Sequence, residues 1–130
     1  MKKVALAIIQ DIQGKILLQH KDKEAPNNPN TWCLFGGGIE EGEIPKEAII
    51  RELDEELLLK VTEPKLLIHA SDKKGQIERY IFMVNIDTKI ETLKANLQEG
   101  DNVEYFSVAD VSKLKINRAH FDIITSLNLR

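Results

Sequence analysis

The chain has 130 residues and a mass of 14.8 kDa, with 18 Lys and Arg against 21 Asp and Glu, a formal charge of −3. That length is expected to form one domain, residues 1–130, with a core that needs no disulfide staples. The slightly acidic balance lacks the basic excess of a general nucleic-acid or membrane-surface binder, so neither a stable nucleic-acid partner nor a membrane is expected.

In chain order, the apolar run at residues 4–9 is closed by Gln10 and Asp11 with no small-residue cleavage site, so it reads as a strand rather than a signal sequence. Two β-rich runs, 4–10 and 15–20, flank Asp11, Ile12, Gln13 and Gly14 and predict a hairpin. Residues 21–30 form a polar loop in which Pro26 and Pro29 forbid a regular helix. Residues 32–35 are apolar and run into Gly36, Gly37 and Gly38; Cys33, the single cysteine, is expected to be buried. A helix then begins at Pro45, where a missing N–H costs nothing, and buries Ala48, Ile49, Leu53 and Leu57, with Ile50. Residues 65–70, 78–86 and 103–108 are strand-like, and short helices are expected at 109–115 and 118–127. Strands joined both by hairpins and across helices predict a mixed sheet with helices on its faces, an α/β chain of α+β type. No apolar stretch reaches the roughly 18 residues of a membrane span, and the expected location is cytoplasmic.

The charge is unevenly spread. Residues 37–59 hold eight carboxylates against Lys46 and Arg51, a local charge of −6 that leaves +3 on the other 107 residues. Glu52, Glu55 and Glu56 stand at i, i+3 and i+4, which puts three carboxylates on one helix face, beside the core positions Leu53 and Leu57. Behind a glycine turn, this is a set of hard oxygen donors suited to Mg²⁺ or Mn²⁺ together with substrate phosphates.

Gly37, Glu43 and the run Arg51-Glu52-Leu53-Asp54-Glu55-Glu56, separated by five and seven residues, resemble the Nudix box of the Nudix hydrolases. Leu58 departs from it, because the family places glycine there, and Phe35 stands where proline is frequent. The resemblance implies an α/β/α sandwich with the box as loop–helix–loop. It also implies water attack on a diphosphate bond in a nucleoside diphosphate linked to another moiety, a nucleoside triphosphate or nucleotide-sugar type substrate. By the same resemblance Glu52, Glu55 and Glu56 would bind Mg²⁺ or Mn²⁺ with the Gly37 carbonyl. Glu43 would support them, and Arg51 would orient the glutamates. The general base lies on the helix or in a later loop, where Glu99 and Glu104 are the candidates. The catalytic set is thus Glu52, Glu55, Arg51 and Glu99. His20 and Lys21, with Lys23, follow the second strand and are candidates for contact with substrate. Trp32, Tyr80, Phe82 and Phe106 could stack on a base but fit a core better, and His69 and His120 read as ordinary surface or half-buried residues. The partner implied is a small nucleotide, and a homodimer is compatible with the sequence. The competing reading is a non-catalytic Nudix-fold module that binds a nucleotide; it would be expected to lose box carboxylates or the arginine, all of which are present. An isoprenoid-diphosphate isomerase of the same fold would need further catalytic residues in a longer chain.

Overall fold

A computed structural model describes residues 1–127; the last three residues of the expected 1–130 domain lie outside the described residues. The elements are β1 (Lys2–Gln10), β2 (Ile16–His20), β3 (Trp32–Cys33), β4 (Phe35–Gly38), α1 (Pro45–Leu57), β5 (Lys65–Ser71), β6 (Ile77–Asn85), α2 (Ile90–Asn96), β7 (Asn102–Phe106), α3 (Val108–Val111) and α4 (Arg118–Ser126).

The apolar run near the N-terminus is continuous because β1 is covered on both faces. Ala5, Ala7 and Ile9 join Ala48, Ile49, Leu53 and Leu57 of α1 in one buried cluster. Leu6 and Ile8 point the other way, into a second cluster with Val111 of α3 and Ile124 of α4. Period-2 alternation therefore splits one strand between two cores, and the result is the helix–sheet–helix sandwich expected from the sequence. The sheet has seven strands in the order β3-β2-β1-β6-β5, with β4 also paired to β1 and β7 to β2.

The β1–β2 hairpin closes at Gln10 and Ile16, but the two strands then diverge and residues 32–38 wedge between them. Trp32 and Cys33 pair with His20 and Gln19 of β2, whereas Phe35 to Gly38 pair with Ala7 to Val4 of β1. Leu34 is the step between these partners, and side chains hold its peptide groups in place of a ladder. Its N–H donates to His120 Nδ1 at 3.0 Å, and its carbonyl accepts from Gln19 Nε2 at 3.3 Å. Cys33, Leu34 and Gly36, on either side of this change of partner, line the cavity described below.

Three sequence expectations are revised. α2 was missed: its seven residues bury only Leu93, too few apolar positions for a helical period to register. The last strand ends at Phe106, because Ser107 leaves the sheet to cap α3 and accepts from the Asp110 N–H. The helix expected at 109–115 is a single turn, Val108–Val111.

Leu58 does adopt the left-handed conformation that glycine usually supplies, with φ 52° and ψ 33°, while its N–H bonds the Asp54 carbonyl. Its side chain is 52% exposed and gains little from packing. Replacing it with glycine is expected to remove the left-handed penalty, partly offset by backbone entropy, and to raise stability by about 0.5–1 kcal/mol. Urea midpoints of the native chain and the Leu58→Gly variant measure this, and an unchanged or lower midpoint would show that Leu58 carries no strain.

Candidate active site

The acidic helix is held by its own loop. The Ile44 N–H donates to Glu47 Oε1, and Pro45 takes the first helical position. Ahead of it, the Glu40 N–H donates to Glu43 Oε1, which turns Glu43 back over the helix toward Arg51. Arg51 grips Glu43 with a two-pronged contact, Nε to Oε2 at 2.8 Å and Nη2 to Oε1 at 3.0 Å. Its Nη2 also donates to the Gly38 carbonyl, and Nη1 donates to Glu52 Oε1 and to Glu55 Oε1, both at 3.0 Å. These bonds hold the Glu43 carboxyl down at about 2, first through Arg51, and raise the guanidinium pKa further.

The three helix carboxylates, though on one face, meet three environments. Glu55 is exposed, Glu52 is half-buried and Glu56 is 3% exposed. Glu52 lies against the backbone of Gly37: a Cβ there would come within 2.6 Å of its Oε1. Burial raises the Glu52 pKa, and Arg51 opposes the shift. Glu56 accepts from the Gly36 N–H at 3.0 Å. Burial pushes its carboxyl strongly upward, and a hydrogen bond to Glu99 adds to the shift.

Glu99 reaches this place through backbone bonds at both flanks. The Gln98 N–H donates to the Glu56 carbonyl at the end of α1, and the Asp101 N–H donates to the His20 carbonyl at the end of β2. His20 Nδ1 also lies 2.7 Å from Asp101 Oδ1, with its ring edge against Trp32. His20 therefore anchors the loop that carries Glu99 and is not among the residues that line the cavity. Glu104 is paired with Lys94 at 3.1 Å and is likewise away from the cavity.

Among the described residues no three His, Cys, Asp or Glu side chains already converge as a metal cage. Like charges on one helix face repel, and two features of the structure ease that repulsion. Arg51 ion-pairs with Glu52 and Glu55 while also holding Glu43, and burial with the neighbouring Glu99 favours the neutral form of Glu56. The donor set still fits a hard divalent cation: it consists of carboxylate oxygens, one of them buried against Gly36, beside a glycine whose missing side chain leaves room for Glu52.

A cavity of about 400 Å³ opens beside these groups. Gly36, Gly37, Glu56 and Glu99 line it, together with Lys21 and with Arg79, Asn117 and His120, which the sequence did not single out for substrate contact. Arg79 was legible in principle, because it shares the parity of Ile77, Ile81 and Met83 on β6 and so points to the α4 face. The aromatics behave as core: Phe82 is buried, Trp32 packs edge-on to Phe106, and Tyr80 stacks on the exposed His69. Cys33 is buried, and its thiol is pushed up to about 11 by that burial.

His120 is half-buried, and burial, then the charges of Arg79 and Lys21, hold its pKa down at about 4. A depressed folded pKa means that the unfolded chain takes the proton first as pH falls, so this residue costs stability from about pH 6.5 down to about pH 4. The native chain is expected to lose up to about 3 kcal/mol more than the His120→Gln variant across that interval. Urea titrations of both proteins at pH 7 and pH 4.5 measure the difference, and parallel curves would contradict it.

The chain matches the family model of the NUDIX domain over residues 1–127. It is 30% identical over 132 residues to nucleoside triphosphatase NudI of Enterobacter sp. (strain 638), covering 95% of this chain and 91% of that protein. It is 28% identical over 87 residues to diphosphoinositol polyphosphate phosphohydrolase 3-alpha of Mus musculus, 66% of this chain and 53% of that protein. The chain thus spans about half the length of the diphosphoinositol relatives it matches. A solved MutT Nudix hydrolase from Burkholderia pseudomallei has the same fold, with a TM-score of 0.74 at 20% identity over 98% of each chain. The chain therefore belongs to the Nudix family, a class already outlined by the acidic helix behind its glycine turn.

Proposed function

We propose that this protein is a divalent-metal-dependent pyrophosphohydrolase that cleaves a diphosphate bond in a nucleotide, of nucleoside triphosphate or nucleotide-sugar type, with water as nucleophile. The observation that carries this reading is the buried Glu56, bonded to Glu99 and to the Gly36 N–H at the end of a cavity of nucleotide-accommodating size. A buried carboxylate without a cation of its own, here Glu56, is costly unless a ligand repays it. The name of the NudI relative, a nucleoside triphosphatase covered over nearly its whole length, supports the same substrate class.

Glu52, Glu55 and Glu56, with the Gly37 carbonyl, would hold Mg²⁺ or Mn²⁺. That cation would supply positive charge to the diphosphate oxygens as charge builds in the transition state. The chain's own groups do the rest. Glu43 and the Gly38 carbonyl fix the Arg51 guanidinium, so that it can steer Glu52 and Glu55 toward the cation. Glu99, at the cavity and next to Glu56, is positioned to take the proton of the attacking water. His20 and Asp101 keep its loop in place.

The reading is tested by following phosphate and nucleotide release from a panel of nucleoside triphosphates and nucleotide sugars with Mg²⁺, Mn²⁺ or EDTA. Turnover is expected only with a divalent cation, and is expected to fall at least about tenfold in the Glu55→Gln variant. Equal turnover in the variant would overturn the mechanism. Nucleotide binding without cleavage would point to the non-catalytic module instead.

A further inference from the structure

Several cations of this chain are already paired: Lys46, Lys60, Lys94 and Lys113 each meet a carboxylate. Lys2, Lys73, Lys74 and the half-buried Arg79 make no ion pair with another described residue. The fold sets these four at one corner of the sheet. β1 and β6 run parallel, with Lys2 opposite Ile77 and Val4 opposite Arg79, and the Lys2 N–H donates to the Gln76 carbonyl. Lys73 and Lys74 occupy the turn just before β6, which is closed by bonds from the Gly75 N–H to the Asp72 carbonyl and from the Gln76 N–H to Asp72 Oδ1. Both lysines are exposed there.

The corner is strongly positive. Asp72 is the one carboxylate in the turn, and four cations against it leave a local charge of +3. Glu78 does not reduce this, because it lies on the other face of β6 and is offset by Lys3 opposite it. Lys2 and Arg79 also line the active-site cavity, so the corner is continuous with the cavity wall. The acidic loop and helix have the opposite sign, with Glu40, Glu41 and Glu55 exposed. A nucleotide carries several negative charges, and it approaches a chain whose net charge is −3, with −6 on residues 37–59. Such an anion is repelled by the acidic helix and drawn in where cations are concentrated. Exposed lysines on a turn hold no ligand in a fixed geometry, but steering needs only charge placed near the path of entry.

We propose that Lys2, Lys73, Lys74 and Arg79 form an electrostatic entrance, which draws anionic nucleotides to the cavity past the acidic helix and sets how fast they arrive. The choice of a nucleotide as the ligand rests on the function proposed above; cleavage of that nucleotide is not required.

The test is stopped-flow association of fluorescent methylanthraniloyl derivatives of the four ribonucleoside triphosphates with the Mg²⁺-bound protein, followed during the first turnover. For the native chain the association rate constant is expected to fall about tenfold between about 20 mM and 500 mM salt. In the Lys73→Glu/Lys74→Glu variant it is expected to be about fivefold lower than native in the dilute buffer and within about twofold of native in the concentrated one, with little change in dissociation. Lys65→Glu/Lys89→Glu makes the same change in net charge at the opposite end of β5 and β6, and is expected to lose less than about twofold. Urea midpoints confirm that each variant is folded. Equal losses in the two variants, or native association indifferent to salt, would overturn the entrance and leave the hydrolase reading standing. Salt-dependent association that Lys73→Glu/Lys74→Glu suppresses, in a protein that releases no product, would support the entrance and refute the hydrolase reading. No saturable binding of any of the four nucleotides would overturn the entrance together with the nucleotide reading.

Discussion

Changing Glu56 to glutamine is expected to cut metal-dependent turnover by about 100-fold or more while leaving the metal-free protein at least as stable as the native one. The reason lies in what surrounds this side chain. Glu56 is 3% exposed, accepts from the Gly36 N–H and bonds to Glu99. Glutamine has the same shape: its Oε1 can keep the bond from Gly36, and its NH₂ can donate to Glu99, so no buried polar atom loses its partner. What disappears is the ability to carry a full negative charge toward a cation. The folded chain is relieved of a buried acid, and the enzyme loses a ligand. Turnover with Mg²⁺ and thermal midpoints in EDTA, measured on both proteins, read the two effects separately. A Glu56→Gln variant of native activity would remove Glu56 from the site, and one that fails to fold would mean that its charge holds the structure together.

The second large effect concerns adjacent glycines with opposite expected outcomes. Gly36 has φ +137°, and a Cβ built on it would lie 2.1 Å from the Ala5 carbonyl oxygen and 2.8 Å from the Leu6 Cα. Both are backbone atoms of β1 and cannot move without unpairing β4 from the sheet. Gly36→Ala is therefore expected to cost about 4 kcal/mol or more and to leave little folded protein. At Gly37 the obstructing atoms are the carboxyl group of Glu52, the nearest at 2.6 Å, and a side-chain end can swing aside. Gly37→Ala is expected to fold, with a urea midpoint close to native. Its displaced Glu52 should lower turnover by about 10–100-fold. Comparable destabilisation of the two variants would mean that Glu52 is pinned as firmly as the backbone of β1. Comparable and native activity would mean that its position does not matter.

These contrasts separate what each level of organisation contributes. Local chemistry carries as far as the chain's own periodicity reaches. Pro45, the spacing of Ala48, Ile49, Leu53 and Leu57, and the intervals between Gly37, Glu43, Arg51, Glu52, Glu55 and Glu56 were readable because a helix converts sequence spacing directly into position. Burial of Cys33 was expected from its place in an apolar run, and it is buried at 2% exposure. α2 was not, because its short helix buries a single leucine, and the end of β7 was not, because a Ser107 cap decided it.

By itself, then, the sequence determined the sandwich, the acidic helix and the family to which they belong. Tertiary structure decided how the acids differ from one another. It buried Glu56, left Glu55 in solvent, and set one Arg51 guanidinium among Glu43, Glu52 and Glu55. It brought Glu99 beside Glu56 across 43 positions of chain through the Gln98–Glu56 backbone bond, and made His20 a support of that loop. It also gathered Lys2, Lys21, Arg79 and His120, from four separate segments, around one cavity. Spacing along the chain fixes neighbours only within a helix or strand. Which acid is desolvated, and which cations share a cavity, depends on contacts between elements far apart in sequence, and only the packed sheet with its helices brings them together.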